Sequence, residues 1–238
     1  MSTSPFSVKT TDFFRAAILI IAPAVMVIAH SYHPWIGSPG DPEFFAALGA
    51  AVAANPTRWA VAHLGVAIGS GLLILAFFAL RGFLSDAGEN RWSPLALPFI
   101  IMGSVLYALL PAMEFAPVAA LEAGADPAAI GEGLMPWFVP ILLTGAAIFA
   151  LGTLGFVIGL VRSRALATRV TWLVAAALVL LALTRFLPVG AAQLYVGPVA
   201  ALVALWPLAY TIWKRAVLTA EVPAEVSEEP MGGTFQEA

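Results

Sequence analysis

Residues 59–80, WAVAHLGVAIGSGLLILAFFAL, contain no Asp, Glu, Lys or Arg. An α-helix rises about 1.5 Å per residue, so this stretch reaches across the roughly 30 Å hydrocarbon core of a bilayer. Hydrocarbon offers no partner for a backbone N–H or C=O, and a helix pairs both within the segment. The stretch therefore reads as a transmembrane helix, from about Trp59 to Leu80.

Five further apolar runs flank it, with bounds near Phe13 to His30, Leu95 to Met113, Trp137 to Val161, Val170 to Leu187 and Leu194 to Trp213. Composition agrees: 61% of the chain is hydrophobic and 11% charged, where a soluble domain carries about 25% charged residues. The expected fold is all-α, a polytopic membrane protein of six transmembrane helices filling residues 13–215. Residues 1–12 are expected to be a disordered N-terminal segment. Residues 216–238, with Glu221, Glu225, Glu228, Glu229 and Glu237, are expected to form a disordered acidic tail. No small-x-small cleavage site follows the first apolar run, so it reads as a span and not as a signal peptide. Prolines inside runs, such as Pro23, Pro98, Pro140 and Pro207, are tolerated where neighbouring helices satisfy the freed backbone groups.

Charge sets the expected orientation. Of the 11 basic residues, all but Arg58 and Arg185 fall before the first span, in alternate loops, or after the last span. Asp41, Glu43, Glu114, Glu122, Asp126 and Glu132 lie in the opposite loops. The positive-inside rule then places both termini in the cytoplasm. Two outer connections carry helix signals: Gly40-Asp41-Pro42-Glu43 before Phe44–Ala54, closed by Asn55-Pro56, and Asp126-Pro127 before a similar run. Asp as N-cap, Pro at the first helical position and Pro as a stop predict two short interfacial helices outside the membrane. Trp35, Trp59 and Trp137 are the expected interfacial anchors.

The excluded classes are many. The absence of Cys removes disulfides, thiolate metal sites, iron–sulfur clusters and cysteine nucleophiles. A net charge of −3 offers nothing to nucleic acid. There is no phosphate-binding loop, no HExxH, no arginine ladder and no lysine inside a span. Gly69-Ser70-Gly71 makes no serine–histidine dyad, because every histidine lies at the outer ends of the spans. Nine Arg against two Lys, with abundant alanine, suggest a GC-rich bacterial gene and hence a bacterial inner membrane.

Two groups of polar residues stand out. His30, His33 and His63 are the only histidines, and antiparallel neighbouring spans bring His30 and His63 to similar depth. Imidazole is the usual nitrogen ligand of b-type haem, zinc and copper. His30 and His63 are thus the expected ligands of a haem b or divalent metal, with His33 and Glu114 as alternates. His63 has no polar neighbour in sequence. Arg185 falls inside the fifth span, where an unpaired charge is costly. Glu114 is its expected ion-pair partner, and Tyr107, seven residues earlier, shares that helical face. Gly65-x-x-x-Gly69 and Gly155-x-x-x-Gly159 predict close helix contacts.

Ala22-Pro23 within the first span, His33-Pro34 after it and His63-Leu64 early in the second carry a resemblance. Over roughly Phe13 to Trp213 the chain resembles a broad group of uncharacterised six-span membrane proteins of actinobacteria and related bacteria. That resemblance implies a compact helical bundle and no particular activity.

Three classes of function stay open. The leading expectation is a non-catalytic accessory or assembly subunit of a larger membrane complex or homo-oligomer, with no catalytic residues. The alternatives are a haem b or metal-binding redox subunit with an outer-leaflet histidine site, and a protein that binds or transports a lipid, quinone or small solute through an outward-facing pocket.

Overall fold

The computed structural model describes residues 5–187 and 190–220, and all regular structure in that range is helical. The helices are α1 (Pro5–Tyr32), α2 (Phe44–Ala54), α3 (Pro56–Asp86), α4 (Trp92–Met113), α5 (Phe115–Glu122), α6 (Pro127–Ser163), α7 (Thr168–Thr184) and α8 (Gly197–Ala220). A π-helical turn over Ala192–Val196 leads into α8.

Six of these helices close a ring. α1 packs on α3, α3 on α4, α4 on α6, α6 on α7, α7 on α8, and α8 returns to α1. Consecutive members run antiparallel, so the chain alternates between two ends of one bundle. Phe77 of α3 meets Phe149 and Phe156 of α6 edge-on in the interior, with ring centroids 5.8 and 4.9 Å apart. Small residues set the helix spacing. A Cβ on Gly65 or Gly69 would lie 2.8 Å from Ala29 Cβ or 2.9 Å from Met26 Cγ, so α1 and α3 touch at the first glycine pair. The second pair, Gly155 and Gly159, seats α6 against Ala96 of α4 and against Glu89.

The outside of the ring is apolar. Phe14, Ile28, Leu95, Trp137, Leu151 and Trp172 are each more than half exposed, an arrangement suited to lipid and unsuited to water. α1, α3, α4 with α5, α6 and the π-turn with α8 are each long and apolar enough to cross a membrane. α7, at 17 residues, is the shortest member of the ring.

Several boundaries differ from the sequence expectation. Residues 5–12, expected to be loose, belong to α1, and α8 runs on to Ala220; the acidic tail beyond it and residues 1–4 lie outside the described residues. Asp126-Pro127 opens no separate short helix. Asp126 does cap, its carboxylate accepting from the Ala128 amide at 2.9 Å, but the helix continues unbroken through Pro136 and Pro140 to Ser163. The second short helix is instead α5. Pro117 has no N–H to offer the Met113 carbonyl four residues back, so α4 stops at Met113 and the chain restarts. Asp41 likewise shapes the turn before α2, accepting from the Ser38 amide at 2.7 Å, while α2 itself starts at Phe44. Asn55 ends α2 and caps α3, its side chain accepting from the Arg58 amide at 2.8 Å.

Candidate functional site at the histidine end

One end of the bundle gathers the close of α1, the start of α3, the close of α4 and the end of α7. Pro34 disfavours helical geometry at the residue before it, so α1 stops at Tyr32 and His33 leaves the helix. Arg58 ties this end down, its Nε donating to the Tyr32 carbonyl at 2.9 Å. His33 is thereby turned toward α3. Its Nε2 lies 3.2 Å from Nε2 of His63, with ring centroids 4.7 Å apart.

The tautomers follow from the partners. His33 Nδ1 is 2.7 Å from the Pro34 carbonyl, and His63 Nδ1 is 2.8 Å from the Trp59 carbonyl. A carbonyl oxygen only accepts, so each Nδ1 carries a proton and donates it. In the neutral ring Nε2 then holds a lone pair, and two lone pairs face each other. Such a pair is stabilised by a cation placed between the nitrogens. Two ligands at about 2.0 Å from a tetrahedral ion stand about 3.3 Å apart, close to the observed spacing. A backbone carbonyl holding the far ring nitrogen is also the usual second shell of a metal-ligating histidine.

Haem does not fit this pair. Ligands on opposite faces of a haem iron stand about 4 Å apart, twice a metal–nitrogen bond of about 2.0 Å, and the porphyrin plane must pass between them. His30, expected to pair with His63, instead donates from Nδ1 to the Met26 carbonyl at 2.7 Å and lines a cavity beneath. Among the described residues no three His, Asp or Glu side chains come together as a complete metal-holding group. His33 and His63 would supply two ligands, and water or a ligand from outside would supply the rest.

Trp59 completes the floor. It is fully buried, with its ring 4.6 Å from His63 and 5.3 Å from His33, and its Nε1 donates to the Glu114 carbonyl at 3.0 Å. It is no interfacial anchor, whereas Trp137 and Trp35 are exposed at 70% and 55%. The expected Glu114–Arg185 ion pair is absent among the described residues. Arg185 lies instead against Tyr107, 4.2 Å from that ring centroid, and against Phe149 at 3.7 Å. Tyr107 and Glu114 are seven residues apart, about 10 Å of helix rise; Arg185 sits at the depth of the tyrosine.

Sequence reading missed Trp59 and Phe149 as site residues. Trp59 carried a readable signal, since residues i and i+4 share a helix face and Trp59 precedes His63 by four. Phe149 carried none, as it looks like any other core aromatic. His63, without polar neighbours in sequence, finds them in the carbonyl one turn back and in a residue 30 positions away.

The fold and this end together define a multi-pass helical membrane protein with a partly buried imidazole pair. No protein-family model, characterised protein or solved structure matches the chain.

Proposed function

We propose that this chain is a non-catalytic membrane subunit that holds one transition-metal ion, zinc or copper, between His33 and His63. The reading rests on one observation: two imidazole Nε2 atoms stand 3.2 Å apart while both Nδ1 atoms are committed to carbonyls. Imidazole nitrogens suit zinc and copper, while magnesium and calcium prefer oxygen ligands. The bundle crosses the membrane six times, with α7 as the shortest span, and its arginine-rich end lies in the cytoplasm of a bacterial cell. The metal then sits in the outer leaflet of the inner membrane, where a partner subunit or solute completes its coordination.

The test is elemental analysis of protein purified in mild detergent and dialysed against buffered zinc or cuprous ion. About one ion per chain is expected in the wild type. His63→Ala and His33→Ala should each lose it while keeping their helical circular dichroism. Metal-free wild-type protein, or full occupancy in both variants, would overturn the reading.

A further inference from the structure

Beneath the imidazole pair lies a second polar site, independent of the metal reading. Arg185 is 4% exposed, yet its guanidinium makes no hydrogen bond or ion pair with any described residue, and Nη1 is fully buried without a partner. The side chain lines a cavity of about 10 Å³ together with Tyr107, His30, Thr184 and Gln193. That volume holds about one water-sized occupant.

The donors of three polar neighbours are committed. Thr184 Oγ1 donates to the Leu181 carbonyl at 2.9 Å, Gln193 Nε2 donates to the Leu187 carbonyl at 2.9 Å, and His30 Nδ1 donates to Met26. The Tyr107 hydroxyl has no hydrogen-bond partner among the described residues. The Arg185 N–H groups are therefore left without an acceptor beside one small space, whose lining also carries the Tyr107 hydroxyl and the lone pairs of His30 Nε2, Gln193 Oε1 and Thr184 Oγ1.

The faces of Tyr107 and Phe149 and the carboxyl end of α7 favour the positive charge. None of them accepts an N–H lying in the plane of the guanidinium. Water would accept those bonds and leave the charge unbalanced in a low-dielectric interior, where an isolated ion is costly. A small anion does both. The geometry points to a binding site for one monovalent inorganic anion, chloride in the simplest case, held by Arg185 and Tyr107. The cavity is too small for a lipid or quinone.

Equilibrium dialysis of the purified full chain with radiolabelled chloride in gluconate buffer, at constant ionic strength, tests it. One saturable chloride per chain is expected, together with a rise in thermal midpoint when chloride replaces gluconate. Arg185→Gln should abolish both effects. Tyr107→Phe, which removes one charge-assisted hydrogen bond and keeps the ring, should weaken binding about ten-fold. No saturable binding in the wild type would show water as the occupant and overturn the proposal. Binding unchanged in folded Tyr107→Phe and Arg185→Gln would overturn it equally.

Discussion

At the scale of single residues, buried polar groups are positioned by backbone partners more than by one another. Glu89, at the opposite end from the histidines, shows this most fully. It accepts from the amides of Arg91, Trp92 and Ser93, three of the N–H groups that the start of α4 leaves without a helical partner. Burial opposes its ionisation, but Ser93 and the amides of Trp92 and Arg91 outweigh that and hold the carboxyl below its ordinary 4.5. The folded state thus binds this proton less readily than the unfolded chain does. The stability it contributes is complete above pH 4.5 and is lost as pH falls through the lower folded value. Glu89→Ala should cost about 1 kcal/mol at pH 7, in line with loss of a helix cap. Glu89→Gln should flatten the fall in thermal midpoint between pH 5 and pH 3; an unchanged slope would mean that other carboxylates govern the acid limb.

At the scale of elements, α4 and α6 form the tightest pair. A Cβ on Gly103 would lie 2.5 Å from the Phe149 backbone nitrogen, and one on Gly152 would lie 2.8 Å from the Ile100 nitrogen. Backbone cannot swing aside as a side chain can, so Gly103→Ala must separate the helices. Overpacking of this kind costs about 1–3 kcal/mol, and here it also moves Phe149 away from Arg185 and Phe77. Thermal unfolding in detergent should show Gly103→Ala well below wild type. Gly71→Ala is the control, since nothing lies within 4 Å of a Cβ there. Equal midpoints for the two variants would mean that the α4–α6 contact is looser than described. Of these glycines, the sequence drew attention to Gly65, Gly69, Gly155 and Gly159 by their spacing. Gly103, Gly145 and Gly152 face the partner without forming that motif, and Gly103 makes the closest approach.

At the scale of the whole molecule, the ring separates two chemistries. One end carries the imidazoles, Trp59 and Arg185. The other carries Arg15 between Asp12 and Asp86, at 3.2 and 2.6 Å, with Arg215 4.0 Å from Asp86. Arg15 and Asp12 are largely buried, whereas Asp86 and Arg215 are exposed and their pair contributes little to stability; a cluster of basic residues does set orientation during insertion. Phosphatase reporters fused in the loop at Arg164 should be inactive, and those in the loop at Ser38 active, if the arginine end faces the cytoplasm. The reverse pattern would turn the imidazole pair inward.

What the sequence by itself determined was the all-helical membrane bundle, the approximate bounds of its apolar runs, the short helix Phe44–Ala54 and the grouping of the polar residues toward one end. Those follow from local physics: hydropathy over about 20 residues, proline and cap chemistry, and the period of the helix. Tertiary structure alone decided the order of helices around the ring, that His33 and not His30 meets His63, and that Arg185 lies on aromatic rings and not beside Glu114. Each of those depends on where Pro34 releases the chain and how deep each side chain sits. Depth and rotation are fixed by glycine contacts between helices remote in sequence, which no local window contains.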